Sequence, residues 1–469
     1  MKYCYLIFSA LFIVLSAASQ NSELGESLDY KTFMQRVKTE HPLSKQAKLQ
    51  QQFGEAEVRG ARGFFDPKTY AQLSQKYFDD KQYYSKLEGG VKIPTWFGIE
   101  VMGGYEDNEG DFLNPENSVP GNGLYFAGVS VPVGQGLFID QRRAALKSAK
   151  IYAKSTQATQ RFLLNQLYLD ATKAYWKWFQ AYHQKEVFEE AIELANIRLQ
   201  AVKQGAVLGD RPDIDTLEAG IQVQNRALGL QQAQLDYKNA RALLNVYLWD
   251  EGLIPLELED ETTPPVLDSI ASEAAEVDLL LGLDTLISQH PELLLSQFEI
   301  DQLEVDRRLK AEMLKPNLNV KYQPIVEGVG DEVLSNFNQN NYQWGLEFSF
   351  PILLRKERGS LQKTKLKLQE KQFDLENKNQ NLAFKAKAAF NEWQTTKEQA
   401  DLYSQNTRDY FGLLEGERNL FQTGESSLFL VNRREVGYIN AQLKWIEVLA
   451  KNHVARAKAY YSLGILPQQ

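Results

Sequence analysis

Cysteine is nearly absent from these 469 residues: the single one, Cys4, lies just before the first long apolar stretch. That excludes a disulfide framework, a thiolate metal site, a cysteine nucleophile and a lipid-carrying cysteine from the rest of the chain. Histidine is scarce too. His41, His183, His290 and His453 have no ligand spacing, and two precede prolines at corresponding places, which points to helix starts rather than catalysis. Positive charge is in deficit, 52 Lys and Arg against 61 Asp and Glu, for a net charge of −9. Nucleic-acid binding calls for the opposite sign. No G-x-S-x-G, H-E-x-x-H or phosphate-loop pattern occurs, so the sequence offers no catalytic, cofactor or metal site.

Long apolar runs are missing with one exception. A mean hydropathy of −0.42, despite 43% hydrophobic residues, excludes a helical multi-span membrane protein. The exception runs from Leu6 to Leu15, between Lys2 and the small residues Ser16 to Ser19. This is the layout of a secretory signal, too short to span a bilayer, with residues 1–19 expected to be removed near Ser19 or Gln20.

What is present is one unit used twice. "EHPLSKQAKL" (Glu40 to Leu49) corresponds to "QHPELLLSQF" (Gln289 to Phe298), and each leading proline, Pro42 or Pro291, stands 25 residues before the next, Pro67 or Pro316. "GVSVPV" at Gly128 corresponds to "EFSFPI" at Glu347, and "GDRPDIDTLEA" at Gly209 to "GESSLFLVNRR" at Gly424. Pro132 to Gly209 spans 77 residues and Pro351 to Gly424 spans 73. The first copy carries 30 extra residues before its second landmark, about one β-hairpin, near Tyr83 to Tyr105.

Strands read by period two. Tyr342, Trp344, Leu346, Phe348 and Phe350 share one face against Gln343, Gly345, Glu347 and Ser349; Tyr125, Ala127, Val129, Val131 and Val133 form the matching face of the first copy. Such strands suit a half-buried soluble sheet or a membrane barrel, and the signal with the aromatics Trp96, Tyr105, Tyr125 and Trp344 favours the barrel. Between Leu137 and Gln204 there is neither proline nor glycine, enough for roughly 100 Å of helix at 1.5 Å per residue. Leu167, Ala171, Ala174, Trp178, Ala181, Lys185, Phe188, Ile192, Ala195, Leu199 and Val202 alternate spacings of four and three, a coiled-coil seam with a polar break at Lys185. Leu217, Ile221, Leu228 and Leu235 mark the partner helix.

The expected organisation is mainly α with a membrane β-barrel. A first repeat covers 20–249, with strands about 68–133 and a hairpin about 136–249; a connector covers 250–285. The second repeat covers 286–469, with strands about 317–351 and a hairpin about 356–463. A periplasmic or secreted coiled-coil scaffold, adaptor-like, is the alternative.

These landmarks resemble the TolC family of outer-membrane efflux proteins over essentially the whole mature chain. The repeated family signature is a turn glycine, an acidic residue six positions on and an alanine at the tenth. Gly209, Asp215 and Ala219 match it, whereas Gly424, Leu430 and Arg434 keep only the glycine. The resemblance implies a homotrimer in outer-membrane lipid, with a helical tunnel in the periplasm. It also implies a periplasmic adaptor (membrane fusion) protein and an inner-membrane RND or ABC transporter as partners. Typical members supply four strands per subunit, and the extra hairpin raises that to six or folds otherwise. The helix turns then form the periplasmic mouth, with Asp215 at the family's latch position. The latch's usual tyrosine and arginine are replaced here by Phe421 and Ser426. Arg211 and Asp213 beside Asp215, or Arg433 and Arg434, are the candidate replacements, and Gly205, Gly209 and Gly424 the candidate adaptor-docking turns. The plainer role for Asp210 and Asp213 is helix N-capping around Pro212.

Overall fold

The computed structural model describes residues 27–270, 272, 282–327 and 337–465, so the expected signal lies outside the described residues. So does most of the short helix expected from Ala275 to Leu286, of which α5 (Leu283–Ser288) is described. Four long helices dominate: α3 (Gln141–Val207), α4 (Asp213–Asn245), α7 (Arg355–Gln422) and α8 (Leu428–Ser462). Shorter helices α1 (Tyr30–Glu40), α2 (Pro42–Arg62) and α6 (Pro291–Glu312) precede them in each repeat.

Two compact units are present, and each takes segments from both repeats. One comprises 42–173, 272–409 and 447–469. It holds a curled antiparallel sheet of six strands: β1 (Lys68–Phe78), β2 (Lys81–Pro94), β3 (Glu100–Glu109), β4 (Leu124–Pro132), β7 (Asn317–Glu327) and β8 (Tyr342–Ser349), in that order. The first repeat therefore supplies four strands and the second two, and the extra hairpin is part of the same sheet. The tight turn between β1 and β2 is Asp79-Asp80, both at positive φ (54° and 56°), the pair of left-handed residues a two-residue hairpin needs. Its helical core has two centres. Leu283, Ile287, Leu293, Leu382 and Leu463 form one, and Phe390, Trp393, Ala455 and Ala459 the other. His290 caps α6, its Nδ1 accepting from the Glu292 amide at 3.2 Å, and burial lowers its pKa.

The other unit comprises 1–41, 174–271 and 410–446. Here α1 and the connector pack against α3: Tyr175 donates to the Leu28 carbonyl at 3.0 Å, and the Leu28 amide donates to the Thr263 carbonyl at 3.0 Å. His183 Nε2 lies 3.0 Å from the Pro265 carbonyl oxygen. His41 is buried against the Tyr247 ring, and desolvation lowers its pKa. Strands β5 (Trp249–Asp250) and β6 (Ile254–Pro255) close the connector's start.

Along α3 the four-three seam faces inward, with Ala171, Ala174, Trp178, Ala181, Ala195 and Val202 all buried. The polar break is explained by its neighbours: the Lys185 ammonium lies 5.0 Å from the Tyr237 ring centre and 3.5 Å from Glu189. Helix α4 behaves differently from its leucine pattern. It turns Ala219, Arg226, Ala233 and Ala240 inward at spacings of seven, leaving Leu217, Ile221, Leu228 and Leu235 exposed. Small residues let the helices approach closely, and Phe188 lies where a side chain on Gly229 would stand.

Candidate functional site

The sheet inverts the polarity of a soluble one. Following the ladder across all six strands, one face carries Ala71, Val91, Val101, Val129, Tyr322 and Trp344 with their period-two neighbours, and it is largely exposed. The opposite face carries Lys92, Glu88, Glu106, Asn108, Ser130, Lys321, Gln343 and Glu347. That polar face is the inside of the curl. Gln323 on β7 passes over Gly128 on β4 to reach Met102 Sδ on β3 at 3.0 Å, and Phe126 lies over Gly104. Exposed aromatics ring both ends of the strands: Phe64, Trp96, Phe97, Phe138 and Phe350 where the helices begin, and Tyr77, Phe78, Phe112, Phe337 and Tyr342 at the far end. An outward apolar band between aromatic girdles, with a polar interior, is the pattern of a barrel wall in lipid.

In the other unit, four helix ends converge. Helix α3 ends with Gly209 at φ 79°, where the Asp210 amide donates to the Gly205 carbonyl at 2.9 Å and the Gly209 amide to the Ala206 carbonyl at 3.1 Å. Helix α7 ends identically at Gly424, φ 81°, with Glu425 donating to Leu420 at 2.8 Å and Gly424 to Phe421 at 3.2 Å. Both are Schellman caps, whose left-handed residue is glycine because a Cβ would be strained there. Behind the turns Val202, Ala219 and Leu428 form a small buried cluster with Leu199 and Phe421 against it.

Over that cluster lies a short chain of polar contacts. Arg211 folds across Gly205, where a Cβ would stand 3.1 Å from its stem, and sets its guanidinium 4.5 Å from the Phe421 ring centre. Its Nη1 is 3.8 Å from Asp215 Oδ2. Deeper in, Arg198 binds Glu435 through two nitrogens at 2.6 and 3.1 Å and donates to Asn432 at 2.9 Å. Asn432 in turn donates to Glu218 at 2.8 Å, joining α3, α8 and α4. Arg226 is 7% exposed beside this group, and its Nε and one terminal nitrogen have no hydrogen-bond partner among the described residues. Burial lowers its pKa, Glu435 opposes that shift and Arg198 adds to it.

Neither a protein-family model nor a curated relative matches the sequence. The fold does have solved counterparts. It matches the CmeC outer membrane channel of Campylobacter jejuni with a TM-score of 0.65 at 12% identity, over 92% of this chain and 85% of that one. The outer membrane protein VceC of Vibrio cholerae gives 0.65 at 12%, over 92% and 95%. The open MtrE outer membrane channel of Neisseria gonorrhoeae gives 0.64 at 14%, over 93% and 88%. The fold is that of the TolC-type outer-membrane channels.

Within this TolC-type fold the residues singled out from the sequence separate into groups. Arg211 and Asp215 are brought together, with Phe421 as a third member. Asp213 is exposed and is the first residue of α4, so the N-cap position falls to Pro212, which has no side-chain cap bond. Arg433 is exposed, while Arg434 pairs with Glu417 at 3.4 Å instead of approaching Asp215. Ser426 also bonds Glu417. Gly209 and Gly424 are explained by their caps and Gly205 by the Arg211 stem. The Arg198–Glu435–Asn432–Glu218 group escaped sequence reasoning. Its one legible signal is Arg226, an arginine inside a seven-residue stripe of alanines.

Proposed function

We propose that three copies of this chain form a passive duct through the outer membrane, serving a tripartite efflux or type I secretion system. The observation that carries this reading is the inverted sheet: an apolar face turned outward across six strands, between two rings of aromatics. In water that face is costly, whereas in hydrocarbon it is the stable arrangement, provided that strand pairing closes the edges. A periplasmic scaffold has no use for it. The exposed leucine stripe of α4 supports assembly, because a neighbouring copy would cover it.

In this reading the converging helix ends are the periplasmic mouth. Asp215 and Arg211, stacked on Phe421, act as a latch, with Asp213 and Arg433 as exposed charges at the rim and Arg434 held beside them by Glu417. An adaptor protein docks at the turns built on Gly205, Gly209 and Gly424 and shifts the mouth toward open. Energy comes from the RND or ABC transporter reached through that adaptor. The test is extraction: the protein should require detergent and run as a trimer that heating converts to monomer. A monomer soluble without detergent would end this proposal.

A further inference from the structure

The sheet has two open edges, and both lie in the apolar band. Among the described residues, strand β1 pairs only with β2, and β8 only with β7. In hydrocarbon an unpaired strand edge leaves peptide groups without partners at several kcal/mol each, so the edges must be covered. Both edges can take a partner: β1 and β8 contain no proline, β1 runs 11 residues and β8 eight, and the register shift in β1 is confined to its far end, at Lys76/Tyr77. Six strands alternating in direction leave β1 and β8 antiparallel, so β8 of one copy meets β1 of another in the pairing sense of the rest of the sheet. Charge agrees with this: at the helix-side ends the polar face carries Lys68 on β1 and Glu347 on β8.

Resting on the trimer proposed above, we infer that β1 of each copy pairs with β8 of the next, and that three six-stranded sheets close one barrel of eighteen strands. The first repeat's extra hairpin is then wall, not appendage. With strands about 4.8 Å apart and tilted by about 40°, the backbone wall is about 36 Å across, against about 24 Å for four strands per copy. Barrels of sixteen to eighteen strands leave an aqueous channel inside, which fits the polar inner face.

The test uses a full-length Cys4→Ser background and lumen-facing positions only. Gln72→Cys or Ser74→Cys on β1 is combined with Gln343→Cys, Gly345→Cys or Glu347→Cys on β8, and the detergent-solubilised trimer is oxidised. Covalent dimers and trimers of the chain are expected from at least one β1–β8 pair, with none from Glu106→Cys on β3 combined with the same β8 positions. Coupling through Glu106→Cys, or a trimer in which no β1–β8 pair couples, overturns the pairing. A chain that is monomeric in detergent before oxidation removes the trimer itself, and the pairing with it. In liposomes, Gln72→Cys should react with a membrane-impermeant maleimide at least tenfold faster than Leu73→Cys on the outer face. Equal rates would place the hairpin outside the wall and also overturn the inference.

Discussion

Replacing Glu435 by alanine removes the hub of the deepest charge group near the helix ends. Its carboxylate is 4% exposed, binds Arg198 at 2.6 and 3.1 Å and stands 3.7 Å from Arg418. Without it Arg198 keeps its bond to Asn432, and the buried Arg226 loses the negative charge that opposes its desolvation. Breaking a buried, hydrogen-bonded pair from one side costs about 3–5 kcal/mol, because a charge is left buried and uncompensated. With an unfolding entropy of about 1 kcal/mol/K for a chain this long, the midpoint should fall by about 3–5 °C. Circular dichroism melting of the detergent-solubilised protein reads this directly, and Glu435→Gln, which keeps the shape, should lose most of the same amount. Arg226→Met provides the opposite sign: it deletes two donors without partners, so it should be neutral or stabilising by about 1–3 kcal/mol. Unchanged melting in Glu435→Ala, or strong destabilisation in Arg226→Met, would refute the assignment of charges in this group.

Other outcomes follow from separate parts of the molecule. Gly209→Ala and Gly424→Ala should each cost about 1–2 kcal/mol in thermal stability, since each glycine sits at φ near 80°. Val129→Arg on the apolar face should destabilise by about 2–4 kcal/mol and Ser130→Arg on the polar face by far less, measured by urea unfolding in detergent. Arg211→Ala and Asp215→Ala should each raise basal conductance in planar bilayers while lowering stability by no more than about 1 kcal/mol, because the pair is partly exposed. The pKa values of His41 and His290 are lowered by burial. Their stability contribution is therefore intact above about pH 6.5, and it is lost as pH falls, because the unfolded chain binds the protons first. Melting across pH 7.5 to 5 should show this decline, with a smaller slope in His290→Asn, which keeps a cap but does not titrate.

The sequence is most legible where geometry is periodic. The proline- and glycine-free stretch corresponds to a 67-residue helix, and the alternation from Tyr342 marks β8 and its outward face. The turn glycines could be placed because a left-handed helix end selects glycine almost alone. Burial on α4 was not legible, since leucines normally mark the inner stripe, whereas along most of this helix alanines take it and Leu217, Leu228 and Leu235 face out, Leu244 near its end being buried. Ion pairs were legible only at short range. Arg211, in the turn before α4, and Asp215, in the first turn of α4, are four residues apart, but Arg198 and Glu435 are brought together from separate repeats. No spacing rule reveals a partner 237 residues away.

Conductance across a planar bilayer tests the membrane-duct reading most directly. Purified, detergent-extracted protein added to one side should insert and produce discrete, equal current steps, and boiling the sample beforehand should abolish them. A natively folded preparation, extracted without detergent, that leaves the bilayer silent would contradict the assignment of the outward apolar sheet to a membrane wall.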